Sequence, residues 1–402
     1  MSESAPQVKD KQGASSKLAA SPSIDLPKGG GALRGIDEKF QSNPATGSAS
    51  FAIPLPLSPS RGFEPEISLS YDSGSGNGPF GLGWSLSVPS ISRKTDKGLP
   101  QYFDMKDSDV FIMSGAEDLV PSGEEREEGE HLIRQYRPRI EGGFARIERW
   151  TGKSSGLSHW RTISADNTTR IYGESGNARI SDPANEKRVF QWLLEFSHDG
   201  KGSAVSYIYA SGGTYRYLSK VLYGNASHYA SGSARPADWH FELELEYGSR
   251  PDPFSSCRSC FELRCERRCE RVLMRHRFGA ESLARSTDFE YEQTDSGISL
   301  LSKARQRGWM PDGTSKELPP MSFSYQRHEW SGRAHELDAD SLSGLPAGLA
   351  SEGSHFLDLY GEGLSGVLTE ASGGWRYKRS LGGGRFGPSA ALRSHPLTGS
   401  AA

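Results

Sequence analysis

The chain has 402 residues, with 47 Lys and Arg against 50 Asp and Glu, a formal charge of −3 and a pI of 6.4. So even a balance disfavours a general nucleic-acid or membrane-surface binder, since both favour a basic excess, and no apolar run approaches bilayer length. Hydrophobic content of 35%, a mean hydropathy of −0.60, 47 Gly and 23 Pro without a collagen period indicate a modest core, many turns and few long helices.

Residues 1–25 are Ser, Ala, Lys, Gln and Asp with almost nothing to bury, which predicts a disordered tail. The opening Met1-Ser-Glu-Ser-Ala-Pro lacks the basic and apolar regions of a signal peptide, so a product made in the bacterial cytoplasm and secreted would leave by another route. From Ser48 to Leu57, Phe51, Ile53, Leu55 and Leu57 alternate with Ala52, Pro54 and Pro56. The two prolines delete donors on one side and mark a sheet edge.

Ile67, Leu69 and Tyr71 alternate before a glycine-rich loop, and Phe80, Leu82, Trp84, Leu86 and Val88 alternate after it, which predicts a β-hairpin with a long tip over Ser73–Pro79. Gly76-x-Gly78-x-x-Gly81 imitates a dinucleotide fingerprint. A phosphate cradle must open a helix with free amides, whereas Pro79 removes one amide and strand alternation follows. Gly81, Gly83, Ser85 and Ser87 leave one face bare, where another layer could approach closely.

Beyond the hairpin, Glu124-Glu-Arg-Glu-Glu-Gly-Glu130 reads as a solvated loop, because contiguous carboxylates repel. From Leu132 to Tyr291, short alternating segments such as Thr169–Tyr172, Val189–Phe196, Ala204–Tyr209, Tyr217–Tyr223 and Trp239–Tyr247 recur between Gly, Asn, Asp and Ser. They predict meandering antiparallel sheet with no helix beyond two or three turns. A linker over 331–353 follows. A last unit over 354–402, with strands in Phe356–Thr369 and Gly374–Lys378, cannot bury its own face.

Cys257-x2-Cys260-x4-Cys265-x3-Cys269 tests poorly as zinc. Cys265 and Cys269, four apart on an extended run, are separated by roughly 13 Å, whereas zinc binds sulfur at ~2.3 Å. Scattered reduced cysteines are expected, with no assigned role. Glu290-x-Glu292 and Glu242-x-Glu244-x-Glu246 read as the solvent face of strands, not as the carboxylate pair of an ADP-ribosyltransferase. Ten dispersed histidines form no recognisable triad, and Asp358–Gly363 is half of a calcium loop with Tyr360 where a second oxygen ligand is needed. No catalytic, cofactor-binding or metal residue is assigned.

Leu26–Ile36, Phe40–Ser50, Pro65–Trp84, Ser90–Pro100, Ser114–Pro121, Trp192–Glu195, Tyr223-Gly-Asn225 and Arg271–Met274 together resemble the amino-terminal region of the SpvB and TcB family, over roughly residues 26–330. That family comprises the B component of insecticidal toxin complexes and the amino-terminal half of the Salmonella virulence toxin SpvB. The resemblance implies an all-β fold, with antiparallel sheets forming part of a toxin-complex shell, and 354–402 then looks like an incomplete first propeller blade of the FG-GAP/VCBS type. It implies a non-enzymatic structural role in enclosing or docking a toxic polypeptide, without cofactors. The implied partners are an A-type pore former and a C-type RHS-repeat shell component, with no nucleic acid and no membrane insertion by this chain. An accessory or delivery module for a separately encoded ADP-ribosyltransferase domain is the alternative.

Overall fold

Among the described residues, period-two alternation becomes strand from Ala49 to Ala391, with short turns and loops between. The computed structural model describes residues 41–42, 47–113, 118–326, 332–345, 353–371 and 374–393. The tail expected at 1–25, and the stretches 26–40 and 114–117 that carry part of the family resemblance, lie outside the described residues. Two compact units divide at Tyr325 and Gln326.

The first unit opens with a small antiparallel sheet of β1 (Ala49–Pro54), β2 (Ser68–Asp72) and β3 (Trp84–Leu86), with Gln41–Ser42 added beside the start of β1. Among the described residues nothing pairs with the outer side of β1 beyond Ser50, where Pro54 closes the strand. The proline edge is therefore as expected.

Eight strands then close into a ring. They are β4 (Ser90–Arg93), β5 (Phe111–Met113), β6 (Asp118–Glu128), β7 (His131–Pro138), β8 (Arg146–Gly152), β9 (Ser158–Ile163), β10 (Thr169–Tyr172) and β11 (Asn185–His198). Each pairs antiparallel with the next, and β11 returns to β4 through Gln191–Ser92, Trp192–Ile91 and Leu193–Ser90. Most of the acidic run, Glu124–Glu128, thus lies in strand β6 and not in a loop, and Gly129 and Glu130 make the turn into β7. The run's carboxylates stay exposed while the backbone is held by β7, so repulsion is relieved by solvent and not by loss of structure.

Phe111 of β5 meets Trp160 of β9 at 5.1 Å and Trp192 of β11 at 5.7 Å, ring centre to ring centre. Strands β5 and β9 lie on opposite sides of the ring and touch only across its interior, so the barrel is filled by aromatic side chains.

From β11 the sheet continues as a ladder of β12 (Ala204–Gly212), β13 (Tyr215–Asn225), β14 (Trp239–Ser256), β15 (Leu263–His276), β16 (Ser282–Gln293) and β17 (Ser299–Trp309). Its alternation gives two unlike faces. Leu243, Leu245, Val272, Met274, Phe289 and Leu301 are buried on one. On the other, charges pair across neighbouring strands, as in Glu244–Arg275 at 2.9 Å, Asp288–Arg271 at 2.7 Å and Glu290–Arg305 at 2.6 Å.

In the second unit a single helical turn, α1 (Ala339–Leu342), precedes a four-stranded antiparallel sheet of β18 (Ser354–Leu357), β19 (Gly366–Ala371), β20 (Gly374–Gly382) and β21 (Arg385–Ala391). The fourth strand is missing from the sequence reading, which stops at the strand in Gly374–Lys378 and does not use the run Gly382-Gly383-Gly384. These glycines instead make the turn into β21, each with positive φ.

Candidate functional site

The glycine-rich corner between β2 and β3 is where the first unit is tied together. Tyr71 pairs with Trp84, and inside the tip Asn77 pairs with Leu82 and Gly78 with Gly81. The corner offers acceptors, the opposite of a phosphate cradle. The Gly78 carbonyl accepts from Arg250 Nη1 at 3.0 Å, and the Pro79 carbonyl from the Cys269 amide at 2.8 Å.

Arg250 is wholly buried and also donates to Asn77 Oδ1 at 3.0 Å. Its charge is met by Asp252, 3.0 Å away, whose two oxygens accept in addition from the backbone amide (2.8 Å) and hydroxyl (2.6 Å) of Ser299. Burial works against ionisation of Asp252. The bonds from Arg250 and Ser299 outweigh it and hold the carboxyl far below the usual range. The tip is thereby fixed to β14, β15 and β17 at once.

Close approach is built into the backbone. Gly81 has φ of +88°, and a Cβ there would lie 2.9 Å from the Ser299 carbonyl oxygen. The bare face thus admits a second layer at Gly81, whereas Ser85 and Ser87 remain exposed. Trp84 anchors the base of the hairpin. Its Nε1–H donates to Tyr325 Oη at 2.8 Å, Tyr325 donates on to the Leu301 carbonyl at 2.8 Å, and Phe51, Tyr71 and Phe323 pack around the indole.

A second lock closes one mouth of the barrel. The loop from β4 to β5 brings Asp104 within 2.6 Å and Asp109 within 2.7 Å of Arg93, and Asp107 within 2.6 Å of Arg134. Arg93 is buried above the Phe111 and Trp192 rings. Desolvation opposes charge on Asp104, but Arg93 prevails and keeps its carboxyl below the ordinary value.

The residues weighed for chemistry are dispersed. Cys257 and Cys260 lie on an exposed turn after β14, whereas Cys265 and Cys269 point into the core from β15, where burial pushes the Cys269 thiol up. Glu244, Glu246, Glu290 and Glu292 are on the charged face of the ladder. Glu242 departs from the expected solvent position, for it is buried and held by Lys220 at 2.7 Å and Arg277 at 3.3 Å. Asp358 turns its oxygens onto amides of its own loop, those of Tyr360 (3.2 Å) and Gly363 (2.6 Å). Sequence reasoning missed Arg250 and Asp252, although two opposite charges flanking Pro251 inside a long strand are a usable signal. It also missed Arg93, which ends the short strand Ser90-Ile-Ser-Arg93 and carries no comparable signal.

Against known proteins, residues 43–278 match the family model described as the Salmonella virulence plasmid 65kDa B protein, SpvB. The chain belongs to the SpvB family. A curated SpvB relative, the mono(ADP-ribosyl)transferase SpvB of Salmonella typhimurium, is 35% identical over 72% of this chain and 57% of its own length. The solved amino-terminal domain of SpvB from Salmonella typhimurium strain LT2 is 33% identical, covering 64% of this chain and 98% of that domain, with a TM-score of 0.59. A chain of the Tc holotoxin pore of Photorhabdus luminescens is 31% identical at a TM-score of 0.78, over 95% of this chain and 20% of the other.

The SpvB-family chain therefore has the all-β fold expected, and its structural neighbours include a chain of a Tc holotoxin pore and the amino-terminal domain of SpvB. It spans little more than half of the curated relatives and a fifth of the holotoxin chain. The expectation of a non-enzymatic protein is corrected here, because the curated SpvB relatives carry the name of an enzyme, a mono(ADP-ribosyl)transferase. What the sequence reading weighed was only the stretch that aligns with their amino-terminal part, so it had no bearing on that activity.

Proposed function

We propose that this chain forms the amino-terminal segment of a B-component shell, meeting a C-type RHS-repeat component along its sheets and an A-type pore former through the unit after Tyr325. The likeness to the holotoxin chain over 95% of the residues, at 31% identity, carries this reading. Two physical features support it. The locks at Arg250 and Arg93 make a stiff wall, and the second unit has the four antiparallel strands of one propeller blade. Phe356 and Tyr360 are 57% and 61% exposed there, apolar surface suited to a neighbouring blade. The same reading places the protein's work outside the bacterium that makes it, in an insecticidal or virulence setting.

Co-expression with a C-type shell component, followed by addition of an A-type pore former and native mass spectrometry, tests the proposal. Stoichiometric complexes are expected, and a chain that stays monomeric in every mixture overturns it. The second reading, delivery of an ADP-ribosyltransferase domain, draws on the relatives' name and on the 98% coverage of the SpvB amino-terminal domain. It predicts capture of such a domain in the same assay without C-type or A-type subunits.

A further inference from the structure

The turn Cys257-Arg258-Ser259-Cys260 carries two exposed free thiols three residues apart. The Cys260 amide donates to the Cys257 carbonyl at 3.0 Å, which closes a β-turn. In such a turn the first and fourth Cα atoms lie within about 7 Å, close to the span that a disulfide bridges. The turn is also tied to the loop that closes the barrel mouth. Tyr102 Oη donates to the Ser259 carbonyl at 2.6 Å, and the Cys260 thiol to the Pro100 carbonyl at 3.3 Å. Tyr102 and Cys260, one on each side of this contact, both hold left-handed backbone, with φ of +61° and +63°. Non-glycine residues are rare there, and such strain gathers at sites where two states compete.

We propose that Cys257 and Cys260 form a reversible disulfide by exchange with a low-molecular-weight disulfide such as oxidised glutathione. The Cys260 thiol proton is engaged by Pro100, so Cys257 attacks first. Its thiolate displaces one glutathione thiolate and leaves a protein–glutathione mixed disulfide. The Cys260 thiolate, its proton lost to water, then attacks the Cys257 sulfur and expels the second glutathione. Two protein thiols are oxidised and one glutathione disulfide is reduced to two thiols. The bond removes the hydrogen that Cys260 shares with Pro100, so oxidation unties one of the two links between the turn and the barrel-mouth loop. An exposed disulfide across so short a span belongs to the labile, regulatory kind.

The test equilibrates the folded chain in glutathione buffers from reduced to oxidised, then alkylates it and digests it with trypsin. Cleavage after Arg258 separates the two cysteines into the peptides Val221–Arg258 and Ser259–Arg264, so a disulfide is read as their covalent linkage. The expected result is loss of both reactive thiols, linked peptides, intact thiols at Cys265 and Cys269, and full reversal by dithiothreitol. Amides of residues 99–103 are expected to exchange faster in the oxidised form. Cys260→Ser, at an exposed position, is expected to leave a glutathione adduct at Cys257 with no linkage. Stable adducts on both cysteines of the unmodified sequence, disulfide-linked dimers, or thiols that persist at the oxidising end would each overturn the proposal.

Discussion

Arg250 and Asp252 stand two residues apart on β14 with their charges 3.0 Å from each other, and Arg250 is wholly shielded from solvent. A pair so placed draws its importance from what it also holds, here the Asn77 side chain, the Gly78 carbonyl and Ser299. Asp252→Ala leaves a buried guanidinium without its counter-charge and is expected to destabilise the first unit by about 3–5 kcal/mol. Urea unfolding followed by tryptophan fluorescence measures it. A loss below about 1 kcal/mol would mean that water replaces the carboxylate and that the corner is not locked by this pair.

Gly81→Ala combines an unfavourable left-handed φ with a Cβ driven against the Ser299 carbonyl. Backbone strain of this kind costs about 1–3 kcal/mol, and the contact adds to it, because a paired strand carbonyl cannot yield as a flexible side-chain end does. Gly76→Ala, with open space around its Cβ position, is expected to change stability by less than about 0.5 kcal/mol. Equal effects in the two variants would show that the close approach at Gly81 is unimportant.

The hairpin itself was legible because alternation is local. Leu69 against Leu86 and Tyr71 against Trp84 follow from a period of two and a run of glycines. What the hairpin docks on was not legible, for Arg250 and Ser299 are roughly 170 and 220 residues away in sequence. Ring closure was hidden for the same reason, since three residue pairs between β4 and β11, about 100 residues apart, carry it. Strand β6 was missed because charge density, which disfavours burial, was taken to disfavour strand; an exposed strand needs only a partner for its backbone. The fourth strand of the second unit contains Pro388 and Gly387, which weaken a strand signal without preventing an edge strand.

In the second unit, Lys378 is buried and donates to three carbonyls, those of Asp340 (2.8 Å), Ser341 (2.7 Å) and Ser343 (2.6 Å). It clamps α1 onto the sheet by capping the helical turn's free carbonyls. Lys378→Met keeps the length of the side chain but strands those acceptors, with an expected local cost of about 2 kcal/mol or more. Amide exchange along β19 and β20 is expected to accelerate on the order of 30-fold, the rate equivalent of that energy. Unchanged protection would show that the sheet is stable without the clamp.

His159 gives the first unit a defined acid limb. It is buried beside Trp150 and His131, and desolvation, helped by the positive charge of Arg161, pushes its pKa down to about 3. An unfolded histidine titrates near 6.5, so between about pH 6.5 and 3 the unfolded chain binds a proton that the folded chain refuses. Stability from this group is therefore fully present above pH 6.5 and falls as the pH drops through that window. The loss amounts to about 2 kcal/mol between pH 7 and pH 5. His159→Gln removes the titration and should flatten this part of the stability profile. The carboxylates Asp104 and Asp252 act in a lower range, because their folded-state values are depressed and their contribution is lost only as the pH falls below the ordinary carboxylate value. Urea midpoints collected from pH 7 to pH 4.5 for both proteins separate the two effects. A variant whose slope between pH 7 and pH 5 matches the parent would show that His159 is already charged in the folded barrel.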